Sequence, residues 1–411
     1  MRDGQAAQRL DALLADPVLA NLMVALNPPG EETRLVGGIV RNALLGEPTD
    51  DVDLATTLLP PDILKRGKAM GWKAVPTGIE HGTITLLRAG RSFEVTTLRR
   101  DVETDGRHAR VLFGRDFRED AARRDFTINA LSLGFDGRLH DYFGGEADLV
   151  ARMVRFIGDP DTRLREDYLR GLRFFRFSAR YGEGRLDPAG MAAIARNRAG
   201  FAGLSRERIR QEVFKLLMAA RVLPVLEQMD AAGLLPDLLG IESDLARFAA
   251  RARLQAQHPH LPWPALARLA ALLSRKGLVD PALQEALRLS NEEMRWLEQC
   301  AGAEDLITRG AAHLASWLAE DFPLAAGEAI ALAAAVSAEP ERVLALAEAA
   351  EKHPRLHVSG RDFLAAGFTP GPVVGARLAA FRTAWIEAGA PESEAEQRAM
   401  FSRFLGGGTG R

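Results

Sequence analysis

Two kinds of hydrophobic spacing divide the chain. Up to about residue 150, short apolar runs of strand character are interleaved with helical stretches. Leu35–Val36 runs into a Gly37–Gly38 turn, after which Val40–Leu45 takes helical spacing. The segments Gly82–Leu87 (GTITLL) and Ser92–Leu98 (SFEVTTL) are rich in β-branched residues and flank a glycine-containing turn at Ala89–Arg91, so they predict a hairpin. Asp101–Asp116 is polar with little periodicity and predicts a mobile loop. From about 151 the strand signals fade. From 222 to 400 alanine and leucine dominate at helical spacing, broken by Pro259, Pro262 and Pro264 and again over Val358–Pro372. The final GGGTGR has little to bury and is expected to fray.

Composition sharpens this picture. The 411 residues exceed one ordinary core, since domains run to ~100–200 residues. With 47% hydrophobic and 26% charged residues, the chain has the balance of a folded globular protein. Its N-terminal apolar stretch is broken by Asp16 and Pro17 and lacks the pattern of a signal peptide. The run AIALAAAV, between Glu328 and Glu339, is far shorter than the ~18–20 apolar residues of a membrane span and predicts a packed helix. A single cysteine, Cys300, rules out an intramolecular disulfide or a cysteine zinc cluster, and a reducing cytoplasm is the expected compartment. The net charge of -2 conceals segregation: residues 151–221 hold 16 Lys/Arg against 8 Asp/Glu. Such a segment suits one basic face turned toward a polyanion, the alternative being a solvated arginine-rich helix surface.

The densest chemistry lies in Leu35–Thr57, LVGGIVRNALLGEPTDDVDLATT. Glycines between a strand and a helix let backbone N–H groups approach a phosphate, and the helix N-terminus favours negative charge there. Arg41, one helical turn on, adds a full positive charge. After Gly46–Pro48 comes Asp50-Asp51-Val52-Asp53, and on a strand Asp51 and Asp53 would share one side while Asp50 faces away. Paired carboxylates beside a phosphate turn point to divalent-cation-assisted phosphoryl or nucleotidyl transfer.

These residues carry a resemblance. GGIVRNALLG…DVDLATT resembles the first motif of the class II tRNA nucleotidyltransferase and bacterial poly(A) polymerase family, and HGTITLL, FEVTTLRRD, RRDFTINAL, DYFGGEADL, REDYLRGLRFFRFSARYG and LSRERIRQEV follow in order. The resemblance spans about residues 33–220 strongly and the remainder loosely. It implies that Asp51 and Asp53 are catalytic and bind Mg²⁺, and that Gly38 and Arg41 hold the incoming triphosphate. It also implies that Arg124 grips phosphates, and that Asp167, Arg170, Arg173 and Arg176 face the nucleotide. Glu94 is a candidate third carboxylate. The family usually has Asp where this chain has Asn42.

Physical chemistry supports several of these roles. Arg124 offers a forked cation for phosphate, and Asp125 and Asn129, four apart, would meet ribose hydroxyls together. Asp167 and Arg170, three apart, would share a helix face and present an acceptor beside a donor. Cytosine and adenine carry an exocyclic amine beside an acceptor, whereas uracil and guanine reverse that arrangement. Helical geometry supports a nucleotide-side role for Arg173 more than for Arg176, which falls in the stripe of Leu169, Leu172 and Ala179 and could instead be buried against a carboxylate. Asp105-Gly106-Arg107-His108 belongs to the polar loop that, by resemblance, helps switch specificity from C to A.

The implied architecture is α+β: a polymerase-β-like nucleotidyltransferase head, a small mixed sheet with helices, over 1–150, then all-helical regions. A neck with the base-selecting helix spans 151–221, and a tRNA-binding body and tail span 222–411. The implied activity is addition of CCA to the 3′ end of tRNA from CTP and ATP with Mg²⁺. The expected partners are that tRNA end and the two nucleotides, with no DNA and no membrane. A poly(A) polymerase and a CC- or A-adding enzyme would share every head motif, and an inactive RNA-binding homologue is the alternative of another class. LARLAALLSRKG carries Ser274-Arg275 where some relatives have the His-Asp of a phosphohydrolase, so no hydrolase activity is expected.

Overall fold

The computed structural model describes residues 4–49, 51–79, 82–104 and 109–407. Asp50, His81 of the HGTITLL motif, Asp105–His108 and the last four residues, all invoked above, lie outside them. The chain divides into two compact units, Met1–Val225 and Leu226–Arg411. The regions expected as head and neck both fall in the first.

A seven-stranded sheet organises the first unit. Its strands are β1 (Thr33–Val36), β2 (Val52–Thr56), β3 (Lys73–Gly78), β4 (Thr83–Arg88), β5 (Arg91–Thr97), β8 (Ser132–Gly134) and β9 (Leu139–His140), in the order β3-β4-β5-β2-β1-β8-β9. The pairing of β2 with β5 is parallel and sets Asp53 beside Glu94; the other neighbours are antiparallel. The predicted hairpin is β4–β5. Ala89 (φ 52°) and Gly90 (φ 75°) form a two-residue turn with both central residues left-handed, which matches the strand twist. Leu35, Leu54, Ile84, Leu86, Phe93 and Val95 are buried in the core of this sheet, with the Trp72 ring 5.3 Å from that of Phe93.

The segment Asp101–Asp116 departs from expectation. It contributes to a separate two-stranded ribbon, β6 (Arg99–Thr104) with β7 (Ala109–Phe113), before Asp116 caps the helix Phe117–Ala122. Ribbon pairing is a backbone property and needs no apolar alternation, so the hydrophobic pattern did not reveal it.

Aromatic packing joins the later helices to the RRDFTINAL segment. Phe126 lies 5.1 Å from Phe156 and 5.4 Å from Phe177, and Phe156 stacks on Phe174 at 5.4 Å. Each such pair contributes about 0.5–1.5 kcal/mol beyond its buried area. Phe174 and Phe177 belong to the helix Leu169–Tyr181, and Phe177 lines one cleft with Gly37 and Gly38.

The second unit is helical in all its named elements. The alanine-rich run is the helix Ala326–Val336, buried from Glu328 through Ala334. Among the described residues no helix is long and apolar enough to cross a membrane. The break over Val358–Pro372 contains a short helix, Gly360–Ala365, begun by a Ser359–Asp362 capping box.

Candidate active site

A cleft of about 610 Å³ in the first unit gathers most of the residues singled out by the sequence. Its floor is the turn from β1 into the helix Gly38–Leu45. Gly37 adopts φ 70°, and a Cβ there would stand 2.9 Å from Arg124 Nη1. The positive φ requires glycine, whereas the approaching Arg124 Nη1 is the end of a flexible side chain that can give way. Gly37 and Gly38 line the cleft with Arg41, and Asp51 and Asp53 stand beside them at the start of β2.

The acids are crowded. Burial pushes the Asp53 carboxyl above its ordinary value, Glu94 and Asp51 push it further, and Arg124 opposes them. Glu94 lies on the neighbouring parallel strand in register with Asp53, so the two side chains share a face of the sheet. Mutually repelling carboxylates of this kind fit a hard divalent cation. Among the described residues no group of three or more His, Cys, Asp or Glu is placed to hold a metal alone.

Arginines line the same cleft. Arg124 donates to Asp120 at 3.3 Å, and Asp120 also receives Arg123 at 2.6 Å. Burial alone would raise the Asp120 carboxyl, but Arg124 and Arg123 outweigh it and hold the group below the usual range. Asp125 accepts from Asn129 Nδ2 at 2.9 Å and pairs with Arg173 at 2.6 Å. There too burial is outweighed, chiefly by Arg173, and the carboxyl stays ionised. Asp125 and Asn129 both line the cleft.

Asp167 and Arg170 meet in this cleft by a route other than a shared helix face. One helix ends at Glu166, the next begins at Leu169, and Asp167 lies between them in extended backbone (φ -157°). Its carboxylate accepts from Leu169 N at 3.0 Å, a local turn bond of the kind Asp favours. The other oxygen takes Arg208 Nη2 at 2.9 Å. Arg170 pairs with Glu166 and donates to the carbonyls of Arg163 and Arg123 at 3.3 and 3.2 Å.

Arg176 is corrected. It pairs with buried Glu212 at 2.6 Å, its guanidinium 4.4 Å from the Phe177 ring centre, and is not among the residues lining the cleft. Carboxylate pairing is the physical reason, because a half-buried guanidinium needs a compensating partner. Arg208, by contrast, lines the cleft without having been assigned a role. It belongs to the LSRERIRQEV motif, but its partnership with Asp167, 41 residues away, leaves no local signal.

Comparison with known proteins identifies the family. The family model described as the poly A polymerase head domain matches residues 33–155, and that of a probable RNA and SrmB-binding site of polymerase A matches 185–242. A relative from Danio rerio, "CCA tRNA nucleotidyltransferase 1, mitochondrial", is 37% identical over 86% of this chain and 83% of its own. The "CCA-adding enzyme" of Levilactobacillus brevis is 33% identical over 89% and 91%. The crystal structure of the Bacillus stearothermophilus CCA-adding enzyme in complex with CTP superposes with a TM-score of 0.75 at 29% identity, covering 96% of this chain and 97% of that one. A cleft lined by Asp51, Asp53, a glycine turn and several arginines is thus carried by a chain that belongs to the CCA-adding tRNA nucleotidyltransferase family.

Proposed function

We infer that the protein adds C, C and A to the 3′ end of tRNA from CTP and ATP, releasing pyrophosphate. The observation that carries this reading is the convergence in one cleft of Asp51, Asp53, the glycine turn and the Asp167/Arg170 pair. The tRNA 3′-hydroxyl attacks the α-phosphate; its proton passes to solvent as the new ester forms and the bond to pyrophosphate breaks. Asp51 and Asp53 would hold Mg²⁺, which when bound supplies Lewis-acid activation of the hydroxyl and charge neutralisation on the leaving group. Backbone N–H groups of the glycine turn, with Arg41 and Arg124, bind the triphosphate; Asp125 and Asn129 face the ribose. Asp167 accepts from the exocyclic amine shared by C and A, and Arg170 donates to the adjacent acceptor. Arg173, tied to Asp125, positions that carboxylate. In functional terms 1–150 is the catalytic head, 151–221 the neck and 222–411 the tRNA-binding body and tail. The compartment we infer is the reducing cytoplasm that a single cysteine suits. Incubating the protein with tRNA lacking CCA, with CTP and ATP separately and together, and reading product length tests the activity; runs of A beyond one residue would replace it with poly(A) synthesis.

Base choice has its own test. Asp167→Ala and Arg170→Ala each strand a polar partner, a loss of ~1–3 kcal/mol, so discrimination of CTP and ATP over UTP and GTP falls ~10–100-fold. Single-turnover rates with all four nucleotides measure this. An equal slowing of all four would make the pair structural.

The neck predicts salt dependence. Several of its cations, including Arg155, Arg173, Arg176 and Arg196, are engaged in internal ion pairs, so phosphate contacts are fewer than the 16 basic residues of the segment. About three contacts give a slope of log K against log salt of roughly -2 to -3. A flat response in filter binding of tRNA would reduce the basic segment to a solvated surface.

A further inference from the structure

Asn42 stands where three parts of the first unit meet. It is 6% exposed, and both ends of its amide are engaged. Oδ1 accepts from Arg41 Nε at 3.0 Å and Nη2 at 2.9 Å, with the Tyr181 hydroxyl at 3.4 Å. Nδ2 donates to the Pro48 carbonyl at 3.1 Å. Only this orientation satisfies both sides, because a guanidinium cannot accept and a carbonyl cannot donate. Pro48 belongs to the turn leading from Gly46 toward Asp51. The amide therefore ties the helix Gly38–Leu45 to the segment that delivers the acids. Through Tyr181 it also reaches the end of the helix that carries Arg170 and Arg173.

Arg41 is itself only 6% exposed, yet it lines the cleft. Besides Asn42 it donates to Asn129 Oδ1 and, at 2.8 Å, to the Tyr181 hydroxyl, and it lies 4.2 Å from the Tyr181 ring centre. Among the described residues each of these hydrogen-bond partners is neutral. Burial works against its charge most strongly, while Glu47 and Asp125 favour it through space. A guanidinium nevertheless stays protonated in a protein. The network thus presents a buried positive charge beside the phosphate turn, held by neutral acceptors.

We propose that Asn42 is a positioning residue for nucleotide binding: its amide orients Arg41 without neutralising it, leaving the guanidinium's charge for a nucleoside triphosphate, and its other end holds the Pro48 carbonyl. The proposal rests on the cleft being the nucleotide site. An Asp at position 42 would accept the same bonds from Arg41. It would also cancel the charge, and it could not donate to Pro48.

The test compares Asn42→Asp, Tyr181→Phe and Arg41→Ala in the full chain. CTP and ATP binding is measured by titration calorimetry, alongside steady-state kinetics and thermal unfolding. Asn42→Asp is expected to raise Kd and KM for both nucleotides by ~5–10-fold, with kcat within about threefold and the preference over UTP unchanged. Tyr181→Phe, which keeps the ring and removes one neutral acceptor, is expected to raise both by ~2–4-fold. A merely structural Asn42 would lower the unfolding temperature and the active fraction and leave Kd of the folded protein unmoved. Kd within twofold of the parent in Asn42→Asp overturns the proposal. Should that variant fail to fold, an unchanged Kd in Tyr181→Phe overturns it. If Arg41→Ala weakens binding while Asn42→Asp does not, the proposal alone fails. If Arg41→Ala also binds normally, the cleft is not the triphosphate site and both readings fall.

Discussion

Asp53→Ala is expected to lower nucleotide addition by ~10³-fold or more, since a metal-held phosphoryl centre contributes several kcal/mol and each 1.36 kcal/mol is tenfold in rate. Asp51→Ala should behave alike, because the two carboxylates flank Val52 and line one cleft. Both variants should bind tRNA within about twofold of the parent, as neither acid attracts a polyanion. The Asp53 change should also ease a repulsion: burial, Glu94 and Asp51 all disfavour its charge. Thermal unfolding without metal should therefore be unchanged or slightly higher. Titration with Mn²⁺ followed by electron paramagnetic resonance supplies a reading independent of turnover, with weaker binding expected in both variants. Substantial turnover in Mg²⁺ with either alanine would remove these residues from the catalytic role. Glu94→Gln belongs in the same series, since its register beside Asp53 makes it the remaining carboxylate on that face.

Glu328→Ala should destabilise the second unit by about 3–5 kcal/mol, the usual loss when one partner of a buried ion pair is removed. Its partner, Arg251, is 0% exposed and donates to the Glu328 carboxylate at 3.1 and 3.3 Å. Without that carboxylate the guanidinium would keep, among the described residues, hydrogen bonds to Gln255 at 2.9 Å and the Pro262 carbonyl at 3.2 Å, with the Trp263 ring centre 5.0 Å away. A second pair, Arg247 with Glu304 at 2.8 Å, joins the helices Leu245–Gln257 and Asn291–Arg309 nearby. Burial pushes the Glu328 carboxyl up to about 7 against the pull of Arg251, so urea unfolding is best measured near pH 8, where the pair is ionised. Replacing both residues with apolar ones of similar volume should recover much of the loss, because the pair's attraction largely offsets its own desolvation. A loss below about 1 kcal/mol in Glu328→Ala would show that water reaches Arg251.

The local features of this protein were legible in its sequence. The strand into Gly37–Gly38, the β4–β5 hairpin and the buried alanine-rich helix each depend on patterns within some ten residues: turn chemistry, β-branching and helical spacing. Asp51 and Asp53 could be picked out because a strand's period of two is enough to aim both acids. Tertiary structure decided which charge meets which. Arg176 found Glu212, 36 residues on, and so left the cleft, while Arg208 entered it through Asp167. Arg123 and Arg124 were anchored by Asp120, which no motif reading had singled out. Asp167 reached the site from a break between helices because a short carboxylate can bond the backbone two residues ahead, an option that helical spacing does not display. Sequence periodicity records which way a side chain leaves its own element. The partner of a buried charge is chosen by desolvation, which only the packed chain imposes.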